Sequence, residues 1–148
     1  MKKALTIILL IYPIALLAQG PEVTSWLFNT TGVKASHYVQ GNSSAIQDND
    51  SANVQSALYS SNWVYVRTKG LPSYTTGPFL DGNPSLATNQ NAIFKISRNP
   101  VQNTGTPTAT TGGNIGIFIN GVALFDYRDG VAWNTSTNSL CGGPGNPP

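Results

Sequence analysis

Charge is what this sequence has least of. Lysine and arginine number 8 and aspartate and glutamate 6 among 148 residues, so charged side chains make up 9% of the chain. Lys2 and Lys3 stand ahead of an apolar run, and a chain cleaved after Ala18 would lose both, leaving cations and acids equal in number. Such a chain has no basic stripe for nucleic acid and no cationic patch for an anionic membrane. Histidine and cysteine occur once each, as His37 and Cys141. Two residues so far apart do not supply the four ligands of a structural zinc site. A Ser-His-Asp triad would have to use His37, and no nucleophile-elbow motif supports it. An odd cysteine in a secreted chain points to a partner elsewhere or to a free thiol. Helical periodicity is almost absent beyond the first segment.

That segment is MKKALTIILLIYPIALLAQG. A charged start, an apolar stretch of about 15 residues and a small residue at Ala18 have the layout of a cleaved signal peptide, against an uncleaved anchor, which needs roughly 20. No cysteine lies near the cleavage point for lipid attachment. The expectation is a signal peptide over 1–18, one domain over 19–148 and a secreted or periplasmic protein without a stable membrane anchor after cleavage. Asparagine, serine, threonine and glycine are plentiful. They give a neutral, hydrogen-bonding surface that suits an extracellular β-protein and resembles sugar-facing surfaces.

With 15 glycines and 10 prolines as punctuation, the apolar runs are short. Six strand regions are predicted: Val23 to Asn29, His37 to Gln40, Val54 to Ser60, Trp63 to Arg67, Ile93 to Ile96, and a hairpin over Asn114 to Asp126. Trp63 to Arg67 (WVYVR) has the best strand composition. Ser61-Asn62 reads as a hairpin turn, Gly70-Leu71-Pro72 as a strand stop and Asp81-Gly82-Asn83-Pro84 as a turn cluster. Pro100 to Gly113 reads as a long loop. In the hairpin, Asn120-Gly121 is the turn signal between GIFI and VALF. Both faces of its strands are largely apolar, which predicts a central hairpin covered on both sides. The fold class expected is mostly β, a single antiparallel-rich sandwich or barrel-like domain.

Candidate chemistry is sparse. Asp126 and Asp129 are the best placed pair of carboxylates, read either as an acid–base pair or as a turn in which Asp129 accepts backbone N–H bonds. Asp48-Asn49-Asp50 alternates oxygen ligands, yet its sixth position is Asn53 rather than the glycine of a calcium loop. The densest polar and aromatic stretch is Val64 to Phe79. There Tyr65 and Arg67 share a strand face and Tyr74 follows the turn, a set that would suit a sugar or an anionic group or would simply pack across a twisted sheet.

Four ordered motifs, WVYVRTKG, LPSYTTGPF, NAIFKISR and GNIGIFINGVALF, resemble the secreted YHYH family. The likeness spans Val54 to Trp133. The Tyr-His-Tyr-His motif that names the family is absent here, and Lys69, Thr76 and Ser97 stand where Asn, Met and Pro are usual. The resemblance implies that the chain is an N-terminal fragment, incomplete at its C-terminus, and that Cys141 pairs with a cysteine outside it. It implies a metal cofactor only for a longer protein bearing those imidazoles, and no ligand residue carries over. The function expected is an extracellular binding or structural module for a metal or glycan, with Tyr65, Arg67, Tyr74 and Asp126 as binding residues. The alternative is a secreted metal-dependent hydrolase whose histidines lie in the missing part. Catalytic residues are not assignable, and nothing within this chain favours an enzyme.

Overall fold

Val64, Val66 and Thr68 alternate with Trp63, Tyr65 and Arg67, and that period of two puts the first set on one face of a strand. In a computed structural model, which describes residues 20–79, 86–110, 112–126, 129–130 and 132–141, the first three are fully buried. Their strand is the centre of the main sheet. In chain order the elements are a one-turn helix α1 (Pro21–Thr24), then β1 (Lys34–His37), β2 (Ile46–Ser51), β3 (Val54–Tyr59), β4 (Trp63–Thr68), β5 (Ala92–Ser97), β6 (Asn114–Ile117), β7 (Ala123–Phe125), β8 (Ala132–Asn134) and β9 (Ser139–Cys141). They form one three-stranded sheet, β3-β4-β5, and three two-stranded ones, β1-β2, β6-β7 and β8-β9, all antiparallel. The expectation of a mostly β, antiparallel fold is borne out. None of these sheets closes into a barrel.

One face of the main sheet carries the core. Val54, Val64 and Val66 are fully buried with Val23 of α1, and Trp26, Phe28, Phe94, Ile96 and Ile117 pack around them. A second, smaller cluster joins Ala35, Ala52 and Leu71, with Val33 against it. The two clusters meet at Asn53, whose backbone is left-handed at φ 62. Asn53 N–H donates to Leu71 O (2.8 Å), and its side-chain Oδ1 accepts from Ser73 N–H (3.1 Å). Its carbonyl accepts from Gln55 Nε2 (2.7 Å) and from the buried Thr68 hydroxyl. Asparagine tolerates this backbone better than most residues.

Several expectations are corrected. Val23 to Asn29 is not a strand. Pro21 pre-sets the first helical φ and needs no N–H there, so Pro21–Thr24 turns as a helix, and Trp26 Nε1 donates back to Glu22 O (2.8 Å). Only the end of the segment reaches the sheet, where Phe28 forms a parallel bridge to Val54. The strand expected at His37 to Gln40 ends at His37 and begins at Lys34. Ile46–Ser51, which contains the alternating oxygens of Asp48-Asn49-Asp50, is the strand that pairs with it. Cys141 ends β9 and is a free, half-buried thiol. The signal segment 1–18 and the turn Asp81 to Pro84 lie outside the described residues.

The β6–β7 hairpin forms where Asn120-Gly121 signals it, with a three-residue loop: Phe118 N–H donates to Val122 O and Gly121 N–H to Phe118 O, both at 2.8 Å. Gly121 supplies the left-handed residue (φ 83) that such a loop requires. The hairpin is not covered on both sides. Ile117 packs on the core, whereas Ile115, Phe118, Ile119, Leu124 and Phe125 are exposed. It pairs with no other strand among the described residues, so its outer face meets no second layer there.

Two substitutions test this arrangement. A Cβ on Gly121 would meet Thr68 Cβ at 2.8 Å and Val54 Cγ2 at 3.1 Å in addition to its left-handed φ. Gly121→Ala is expected to cost about 3 kcal/mol, combining left-handed strain with overpacking; a urea midpoint equal to wild type would contradict the packing. At Asn53, alanine loses both the tolerated φ and the bond to Ser73, while glycine loses only the bond. Urea unfolding should rank Asn53→Ala about 1 kcal/mol below Asn53→Gly, itself below wild type.

Candidate functional site

A cleft of about 470 Å³ opens between the end of the main sheet and the hairpin. Ala92 and Phe94 of β5 form one wall, on the face that carries the core. Asn114 of β6, with Val122, Ala123 and Phe125 around β7, forms the other. Gly70 and the extended segment Ala87, Thr88, Gln90 close one end. Local backbone bonds hold that end: Gln90 N–H donates to Lys69 O (2.9 Å), and Gly70 N–H to the Thr68 hydroxyl (2.9 Å). Gly70 is left-handed at φ 77, and a Cβ there would press on Gln90 Cγ at 3.3 Å.

The lining is mostly apolar and, among the described residues, carries no charge. Its polar groups are Thr88, Gln90 and Asn114. Gln90 Nε2 donates to Thr88 O (2.8 Å) and Thr88 Oγ1 (3.2 Å). Apolar walls with a few convergent polar groups, at this volume, are the ordinary form of a small-molecule site.

The four residues singled out from sequence are not assembled into one site. Tyr65 and Arg67 do share a face of β4, the one turned away from the core. On that face the register sets Lys95 and Leu58 beside Tyr65, and Ile93 beside Arg67. Lys95 Nζ lies 4.1 Å from the centre of the Trp63 ring. Tyr74 is exposed on the connection after Pro72. Asp126 is buried at the exit of β7 and accepts a hydrogen bond from the Thr110 hydroxyl. Its N–H donates to Gly113 O (2.9 Å), and its own carbonyl accepts from Asp129 N–H (2.9 Å). Asp129 Oδ1 in turn accepts from Gly113 N–H (2.8 Å). Of the two readings of Asp126 and Asp129, the turn is the one observed. None of the four residues lines the cleft.

The remaining carboxylates among the described residues are engaged in ion pairs. Asp48 Oδ1 lies 2.9 Å from His37 Nδ1, and Glu22 Oε1 accepts from Arg98 Nε at 2.9 Å. Asp50 Oδ1 accepts from Lys69 Nζ and from Asn89 Nδ2, both at 2.8 Å. The hydrogen bond from Lys69 holds the Asp50 carboxyl below its ordinary range, against the opposing effect of partial burial. Glu22 is lowered too, by a backbone hydrogen bond first and by Arg98 second. The alternating oxygens of Asp48 and Asp50 are therefore spoken for by His37 and Lys69. Among the described residues no three of His, Cys, Asp and Glu gather as a metal site.

Thr88, Gln90 and Asn114 escaped the sequence reading. They sit in polar stretches, ATNQN and GGN, whose only signal was the turn chemistry expected of loops. Their convergence depends on bringing chain segments about 25 residues apart to the two sides of one cleft.

Residues 93–141 match the family model described as YHYH protein. The match takes in most of the NAIFKISR motif and all of GNIGIFINGVALF, while the motifs over Val64 to Phe79 lie before it. No curated protein and no solved structure matches the chain.

Two outcomes follow from these contacts. Because the folded-state pKa of Asp50 is depressed, its contribution to stability is present above the unfolded carboxylate pKa, near 4, and is lost as pH falls through the lower folded value. Asp50→Asn should therefore flatten the acid side of a plot of melting temperature against pH; an unchanged slope would show the Lys69 contact to be idle. Lys95→Gln should lower stability by only about 0.5 kcal/mol while altering Trp63 fluorescence, since a solvent-facing cation–ring contact is worth little more.

Proposed function

We propose that this YHYH-type chain is an extracellular module that binds a small molecule in the cleft between β5 and the β6–β7 hairpin. The observation that carries the reading is the cleft itself: about 470 Å³, walled by Phe94, Val122 and Phe125, with three uncharged polar side chains at its margin. That volume falls within the range of roughly 300–1,000 Å³ usual for ligand pockets. The leader-like start, the scarcity of charge and the hydroxyl- and amide-rich surface support an extracellular setting. Half of the lining residues, Phe94, Asn114, Val122, Ala123 and Phe125, lie inside the stretch that matches the YHYH model.

Binding is preferred over hydrolysis because no carboxylate, histidine or cysteine among the described residues lines the cleft to move a proton or attack a bond. A metal-dependent hydrolase would need imidazoles from a Tyr-His-Tyr-His segment, and it predicts activity only in a protein that carries one.

The test is a screen of neutral ring-containing fragments against the isotopically labelled chain by NMR. Saturable shifts should centre on the amides of Gln90, Ala92, Asn114 and Ala123. Hits that map consistently to the outer face around Tyr65 and Arg67, or no hits at all, would overturn the assignment of the cleft.

A further inference from the structure

We infer that the ligand of this cleft is an uncharged, hydroxyl-bearing ring: a neutral pyranose of one or two sugar units. This rests on the cleft-binding reading above and specifies its chemistry.

Charge is the first filter. Among the described residues the lining holds neither a cation nor an anion. An ionised ligand group would give up its hydration there with no opposite charge to meet, and such burial is strongly penalised. Uronic acids and amino sugars are disfavoured on this ground.

The polar rim is the second filter. Gln90 spends its amide N–H groups on Thr88, on the carbonyl and on Oγ1. That leaves Gln90 Oε1 as an acceptor. Thr88 Oγ1, already accepting, keeps its proton to give. The Asn114 side chain makes none of the described hydrogen bonds and offers both donors and an acceptor. The rim thus presents donors and acceptors side by side. A hydroxyl both gives and accepts, so vicinal hydroxyls satisfy such a rim, whereas a ligand bearing acceptors alone would leave Gln90 Oε1 unpaired at a cost.

The apolar walls are the third filter. Phe125 is half exposed, and across the cleft stand Phe94 and the small side chain of Ala92. A pyranose has one face of C–H groups that lies against an aromatic ring and an equator of hydroxyls that reaches outward. Ala87, Ala92 and Ala123 leave the width free where longer side chains would fill it. The volume equals that of about 15 water molecules, room for one six-membered ring with its hydration or for two rings.

The experiment is a titration of the labelled chain with the methyl glycosides of glucose, galactose and mannose. Glucuronate, glucosamine and cyclohexanol serve as charged and hydroxyl-poor analogues, and the fragment hits serve as the positive control. At least one neutral glycoside should shift Gln90, Ala92, Asn114 and Ala123 saturably at millimolar concentration. The matching charged sugar and cyclohexanol should bind about tenfold more weakly. Asn114→Ala should weaken the glycoside about five- to tenfold, the worth of a good hydrogen bond, and Phe125→Ala by about tenfold. Phe125→Trp should keep binding, and circular dichroism should show all three variants folded. If fragments bind in the cleft but no neutral glycoside does at tens of millimolar, the pyranose assignment falls and the cleft reading stands. If a charged analogue binds as well as the neutral sugar, the assignment falls too. If neither fragments nor sugars reach the cleft, both readings fall.

Discussion

The left-handed turn at Asn53 is the constraint on which the rest of the structure depends. It lies between β2 and β3, where the chain leaves one small sheet for the next, and the residue's N–H, its carbonyl and its side-chain Oδ1 are all engaged. On one side Ala52 N–H donates to Val33 O and Ala52 O accepts from Asn29 Nδ2, closing the smaller cluster. On the other, Val54 N–H donates to Leu27 O and Val54 O accepts from Asn29 N–H, which seats the N-terminal segment along β3. With only a handful of fully buried aliphatics among the described residues, the described fold does not rest on apolar area alone. Side-chain amides that bind backbone groups hold the segments where a larger core would have done so.

The cleft is a by-product of how the hairpin is attached. Its tip reaches the main sheet, Gly121 resting on Thr68 and Val54, and Leu27 N–H donates to Ile119 O (2.8 Å). Away from the tip, Ala123 and Phe125 stand off from Ala92 and Phe94 with the cleft between them. A glycine that permits close approach at one end and small side chains that leave width at the other produce a wedge-shaped opening. The same geometry leaves Ile115, Leu124 and Phe125 incompletely covered.

What was legible in the sequence is what local physics decides alone. β3, β4 and β5 announced themselves by β-branched and aromatic residues in alternation, and the β6–β7 hairpin by Asn120-Gly121. β2 was illegible because IQDNDS has almost no apolar content; it is a strand because His37 and Lys69 engage its carboxylates and β1 supplies the ladder. The first segment misled because VTSWLF has strand composition, yet Pro21 starts a helical turn and the Trp26 indole closes on Glu22 O. Tyr65 and Arg67 were rightly placed on one face of β4, but Asp126 is used up in securing the loop at Thr110 and Gly113. The cleft residues had no motif to betray them, since Gln90 and Asn114 become neighbours only through tertiary pairing.

That hairpin is also closed on itself at its open end. Leu27 and Gly121 fix the tip, and the bonds among Asp126, Asp129 and Gly113 fix the exit of β7. A wall joined to the rest of the fold at its tip and bonded to itself at its open end keeps its own shape, and the opening is present in the unliganded fold. For the binding proposed above, a preformed cleft would cost little ordering entropy on arrival of the ligand. A module that bound in this way would capture its ligand without first rearranging its walls.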